Sequence, residues 1–342
     1  MMSRTLIASA TLAVTLALAP YDLHAQQAAD MLAAVRARGV VTCGVTPSTL
    51  GFAMPDAGGT WRGIDVDYCR AVAAAVLGDA DKVRFATPTT ATRFPMLQSG
   101  EIDLLLRTTT WTLGREASLG AAFAAVNMFD GQGFMVKRAA NITSVRQLDG
   151  TSICVLPGTT TEAITADYFR LHGMRYTPVN VPTIEELRAA FISDRCNVFT
   201  LDVSALAAFR ASQGADADRY VVLPEIISKE PLGPVVRQGD WRWFNAVRWT
   251  HYAMVTAEEL GITSTNIDSM ANSVNPDIQR FLGRTGDLGT SLGLTNDWAA
   301  QIVRQVGNYG EVWERNITPI GIERGINGLW TQGGLHYAPP MR

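Results

Sequence analysis

Val40-Val41-Thr42-Cys43-Gly44-Val45 reads as a buried strand, an uncharged run of small and β-branched residues. After it, Asp65 to Leu77 carries Val66, Cys69, Val72, Ala73 and Val76 at helical spacing, and Gly78 stops the helix. Val83 to Ala86 is strand-like, and Ile102 to Leu106, preceded by the turn Ser99-Gly100, is a second buried strand. Strand, helix and strand in this order form βαβ units, which imply a parallel sheet flanked by helices.

A second series of the same kind begins after the polar stretch Arg138 to Ser144. Its strands are Ser152 to Leu156, Tyr176 to Val181, Asn197 to Leu201 and Tyr220 to Leu223. Helical patterns over Thr161 to Leu171, Ile184 to Ser193 and Ser204 to Ala211 separate them. Pro224 to Pro234 reads as a connector, and the remainder is largely helical. Trp243, Phe244, Val247 and Met254 share one stripe of a helix over Trp241 to Met254, which predicts core packing. The Gly-rich stretch Gly283 to Gly293 lacks the Gly-Lys-Ser/Thr ending of a phosphate loop, so no nucleotide cofactor is expected.

The 342 residues suffice for two domains, and 47% apolar with 18% charged residues predicts a packed globular chain. A net charge of −3 gives no reason to expect nucleic acid or anionic lipid as a partner. Residues 1–25 read as a signal peptide: Arg4 supplies the positive region, Leu6 to Leu18 the short apolar run, and Leu23-His24-Ala25 the small-residue end before Gln26. In an exported chain, four cysteines suggest two disulfides with three connectivities; Cys43–Cys69 and Cys154–Cys196, one in each half, are favoured over the alternatives, buried free thiols among them. The four histidines have no metal-ligand spacing.

Two polar clusters each follow an apolar strand. The first is Thr108-Thr109-Thr110-Trp111-Thr112 with Arg115, the second Gly158-Thr159-Thr160-Thr161-Glu162. An α-amino acid carries a carboxylate and an ammonium, and burying either requires a partner for its charge. A guanidinium fork suits the carboxylate, as does a helix N-terminus, and an aspartate suits the ammonium. Arg115, the helix start at Thr159-Thr160, and Asp202 offer these parts. Each also has a structural reading: surface arginine, capping box from Thr159 to Glu162, and helix cap before Ser204.

Taken together, Gly63-Ile64-Asp65-Val66-Asp67, Leu97-Gln98-Ser99-Gly100-Glu101-Ile102-Asp103, Asp130-Gly131-Gln132-Gly133-Phe134, Gly158-Thr159-Thr160-Thr161-Glu162, the run Leu223 to Pro231 and the run Gly333 to Pro340 resemble the polar amino acid family of periplasmic solute-binding proteins of ABC importers. Within it the chain is most similar to the general L-amino acid-binding subgroup. The resemblance implies a type II periplasmic binding fold: α/β, with two lobes, each a mixed or parallel sheet flanked by helices. Lobe one would hold residues 26–130 and 229–342, with a C-terminal helical extension, and lobe two 131–228. Hinges would lie near Asp130-Gly131 and Ser228 to Leu232.

The resemblance also implies roles. Thr110 and Arg115 would hold the ligand carboxylate, with the backbone N–H of Thr160. Thr108 and Asp202 would meet the ammonium. Thr49 stands where the family often has an aromatic, so Phe52 or Trp111 is the expected replacement. Arg107 stands where many members have a small polar residue. The implied partners are an L-amino acid and an inner-membrane ABC permease, with a monomeric, non-enzymatic, periplasmic protein acting by hinge closure. An exported dehydratase-like enzyme or a sensory ligand-binding domain on the same fold is the alternative; no placed histidine or extra carboxylate pair supports the former.

Overall fold

The structure, a computed structural model, describes residues 30–342. The signal peptide expected over residues 1–25 lies outside the described residues. Two five-stranded sheets organise the chain. In the first, the spatial order is Val83–Ala86, Val41–Gly44, Leu104–Leu105, Val235–Arg237, Ala121–Phe123. In the second it is Thr177–Asn180, Ser152–Val155, Val198–Asp202, Gln132–Lys137, Tyr220–Val222.

The parallel members of both sheets are those the βαβ pattern predicts. The remaining strands pair antiparallel, so both sheets are mixed. Ala121–Phe123, Gln132–Lys137 and Val235–Arg237 are not announced by the sequence pattern. Two of them are three residues long, and the third opens on Gln132-Gly133, which breaks the apolar run.

The chain passes from the first sheet to the second and returns through two short strands, Met128–Asp130 and Glu230–Leu232. They pair antiparallel, with Asp130 opposite Glu230. Backbones crowd where these strands meet the lobes. A Cβ at Gly131 would lie 2.3 Å from Ile226 Cγ2, and one at Gly233 only 1.9 Å from the Ala125 carbonyl oxygen. Glycine permits both approaches.

The helix Ile64–Leu77 is buried on nearly every side, packed between the first sheet and the helices Trp241–Glu259 and Trp298–Gln305. Trp243, Phe244, Val247 and Met254 fill this core, as their stripe predicts. The C-terminal segment docks here too: the rings of His336 and Tyr309 are 4.3 Å apart, and Tyr68 Oη lies 2.9 Å from His251 Nδ1. Both favoured disulfides form. Cys43 ties a strand to Cys69 on the buried helix, and Cys154 on the strand Ser152–Val155 is tied to Cys196 in the turn before Val198–Asp202, with Cα separations of 6.1 and 5.6 Å.

Candidate functional site

Past Leu106 the chain turns through Arg107 and Thr108. Thr108 has φ 41°, in the left-handed region that a β-branched residue rarely adopts. Asp65 lies beside this turn, and its burial raises its pKa to about 7. Next, Thr110 bridges to Leu232, and the Trp111 N–H donates to the Pro231 carbonyl at 2.8 Å. Thr112 then caps the helix Leu113–Ser118, its hydroxyl accepting the Arg115 N–H at 3.2 Å. These bonds fix Arg115, whose Nη1 donates to the Thr110 carbonyl at 2.8 Å while the guanidinium lies 5.7 Å from the Phe94 ring.

The second sheet supplies the facing wall. Thr159 caps the helix Thr160–Leu171, accepting the Glu162 N–H at 3.1 Å. The expected capping box is half formed, because the Glu162 carboxylate takes the Gly158 N–H at 2.8 Å instead. Asp202 occupies the cap position of the helix Val203–Ser212, yet its side chain makes no cap bond and lines the cleft. Burial pushes its pKa well above the usual carboxylate range, and Asp130 and Glu230 reinforce the shift against the opposing pull of Arg115 and Arg93.

The two threonine clusters meet. Thr110 and Thr160 hydroxyls are 3.4 Å apart, and both donate to Glu230 Oε2, at 2.5 and 3.1 Å. Ser228 donates to the other Glu230 oxygen at 2.6 Å. The enclosed space between the sheets is about 60 Å³, bounded by Arg93, Arg107, Arg115, Asp202 and threonine hydroxyls, with Leu156, Ile184, Leu201 and Ala205 on the apolar side. At its rim, the Ser48 hydroxyl donates to Glu185, and Arg188 Nη1 donates to the Ser48 carbonyl at 2.7 Å. The walls are therefore held together in this conformation.

Of the residues expected from sequence, Thr49, Thr108, Thr110, Arg115, Thr160 and Asp202 line this one cleft. Phe52 and Trp111 do not. Phe52 is sealed in the core, where its carbonyl meets Gly63. Trp111 stacks on Phe123 with ring centroids 5.6 Å apart and donates Nε1–H to Glu116, which turns it away from the cleft. Thr49, 2% exposed and 3.3 Å from the Thr46 hydroxyl, leaves a polar wall where an aromatic was expected. Sequence reasoning missed Arg93, Glu230 and the rim residues Ser48, Glu185 and Arg188. Arg93 opens a short helix and reads as a surface residue. Glu230 sits among prolines in what reads as a connector, and only its pairing opposite Asp130 reveals its place.

Among the described residues no group of His, Cys, Asp and Glu side chains is arranged to hold a metal ion, and no helix is long and apolar enough to cross a membrane. A model of the bacterial extracellular solute-binding proteins, family 3, matches residues 41–277. The chain is 54% identical over 320 residues to the general L-amino acid-binding periplasmic protein AapJ of Rhizobium johnstonii, covering 92% of this chain and 93% of that one. It is 52% identical to the glutamate/glutamine/aspartate/asparagine-binding protein BztA of Rhodobacter capsulatus, covering 92% and 94% of the two. A solved structure from Brucella ovis, an ABC transporter periplasmic binding protein with glutathione bound, superposes with a TM-score of 0.89 at 53% identity, covering 92% of this chain and 100% of that one.

Proposed function

The chain belongs to family 3 of the bacterial extracellular solute-binding proteins, and on that premise we propose that it is a periplasmic receptor delivering L-amino acids to an inner-membrane ABC permease. Arg115, Thr110 and the start of the helix at Thr160 take the ligand carboxylate. Asp202 and Thr108 take its ammonium, and Thr49 borders the side chain. Of the described residues, 30–130 with 229–342 form one lobe and 131–228 the other, and the antiparallel pair Met128–Asp130 and Glu230–Leu232 is the hinge. The protein acts as a monomer and catalyses no reaction.

The observation that carries this reading is that Arg115 and Asp202, brought from different sheets, border the same small cleft. A ligand touching both favours the closed form, because only that form makes both sets of contacts. Titration calorimetry tests it. Wild-type protein binds common L-amino acids. Arg115→Ala loses roughly 2–5 kcal/mol, the cost of removing one partner of a desolvated charge pair, and each ~1.4 kcal/mol is tenfold in Kd. An unchanged Kd removes Arg115 from the site.

A further inference from the structure

The strand pair that links the two sheets carries two acids side by side, Asp130 opposite Glu230. Asp130 accepts the Gly131 N–H at 2.8 Å and, at 3.3 Å, the Ser204 N–H in the first turn of the helix Val203–Ser212. Both donors belong to the second wall. Glu230 is bonded to both walls. It is 0% exposed, and its Oε2 accepts the Thr110 hydroxyl at 2.5 Å and the Thr160 hydroxyl at 3.1 Å, while its other oxygen accepts Ser228 at 2.6 Å. A buried carboxylate needs donors for its oxygens, and these three hydroxyls supply them. Thr110 is tied to the crossover itself through its bridge to Leu232, whereas Thr160 opens the helix Thr160–Leu171 on the far wall. The two hydroxyls stand 3.4 Å apart, so one oxygen serves both only while the walls are together. Glu230 is not among the residues that line the cleft.

We propose that Glu230 is a positioning residue that never touches the ligand: its carboxylate bridges Thr110 to Thr160 and so sets how readily the two lobes close on any amino acid. This rests on the amino acid-receptor reading and goes beyond it. In the closed form, removing one donor leaves a buried oxygen short of a partner, and that destabilises the closed form. In the open form water takes the donor's place, so the same change costs little there. Apparent affinity scales with the fraction of protein in the binding-competent form. The bridge therefore changes the affinity of every ligand by one common factor. A residue that touches the ligand side chain would instead discriminate between ligands. A charge acting on the ammonium from a distance would persist when the bridge is cut from the threonine side.

The test is a double-mutant cycle, Glu230→Gln, Thr160→Val and the two together, read by calorimetry with L-glutamate, L-glutamine and L-leucine. Thr160→Val keeps the side-chain shape and the backbone N–H at the helix start and removes the hydroxyl. Each single variant is expected to weaken every ligand by the same factor, about tenfold, and the double variant to lose about as much as one single variant rather than about a hundredfold. Melting without ligand is expected to stay close to wild type, because the open form lacks the bridge. Losses that multiply in the double variant overturn the bridge, since Glu230 and Thr160 then act separately. Losses that differ more than about threefold between ligands overturn it as well. An unchanged Kd in Thr160→Val does the same, and decides the matter even where Glu230→Gln fails to fold. A ligand-free melting temperature lowered as far as the liganded one makes the contact a plain structural bond and also overturns it. Absence of wild-type binding to every amino acid defeats the receptor reading itself, whereas wild-type binding with unaltered variants defeats only the bridge.

Discussion

A carboxylate buried beside other acids has its pKa raised, and an arriving cation lowers it again; Asp202 is in that position. Burial, Asp130 and Glu230 raise its pKa, while Arg115 and Arg93 oppose the rise. An ammonium placed against it favours the charged form and lowers the pKa in the complex. The free protein therefore carries more protons than the complex, and binding releases up to one. Affinity is full above the free-state pKa of Asp202 and falls as pH drops below it, by at most about tenfold per unit. Calorimetry in two buffers of different ionisation enthalpy measures the release. In Asp202→Asn the release is expected to shrink, and amino acids are expected to lose more affinity than matched acids lacking the amine. Equal losses for both ligand types, or no proton exchange in the wild type, contradict the assignment. That Arg115 and Asp202 line the cleft was legible in the sequence, because the resemblance singles both out. Arg93 was not, since a lone arginine opening a helix gives no hint of what it faces.

Elements explain how weak local signals become one site. The Thr108 to Thr112 segment is held by Pro231 and Leu232, more than a hundred positions further along the chain. Long, periodic pieces such as the helix Ile64–Leu77 were readable. The three-residue strands and the paired crossover were not, because their hydrogen bonds come from distant partners and leave no period behind. The C-terminal extension shows the same dependence on distant packing, with a measurable consequence. Burial lowers the pKa of His251 to about 3, and burial with His251 and Arg324 nearby lowers that of His336 to about 2. Unfolding exposes both rings, which then take up protons near the ordinary imidazole value of 6.5. Their contribution to stability is thus complete above about pH 6.5 and declines as pH falls toward the folded values, by about 1.4 kcal/mol per unit for each ring. Thermal melts of wild-type and His336→Asn proteins from roughly pH 7 to 4 check this. The variant is expected to start less stable and to lose stability less steeply; equal slopes contradict the linkage.

At the scale of the whole molecule, two sheets linked by one antiparallel pair of strands enclose a cleft whose charges come from both sides. Thr110 with Thr160 through Glu230, and Ser48 with Glu185 and Arg188, cross between the walls. These contacts close the space over Arg93, Arg115 and Asp202, which line it. The two-lobe plan was legible through the paired βαβ series. The rim contacts were not, since Ser48 and Arg188 carry no pattern of their own. A crystal structure grown with an L-amino acid that raises the melting temperature is the most direct test. The account predicts the α-carboxylate within hydrogen-bonding distance of the Arg115 guanidinium and the ammonium against the Asp202 carboxylate; a ligand seated elsewhere, or held by residues of one wall only, would contradict it.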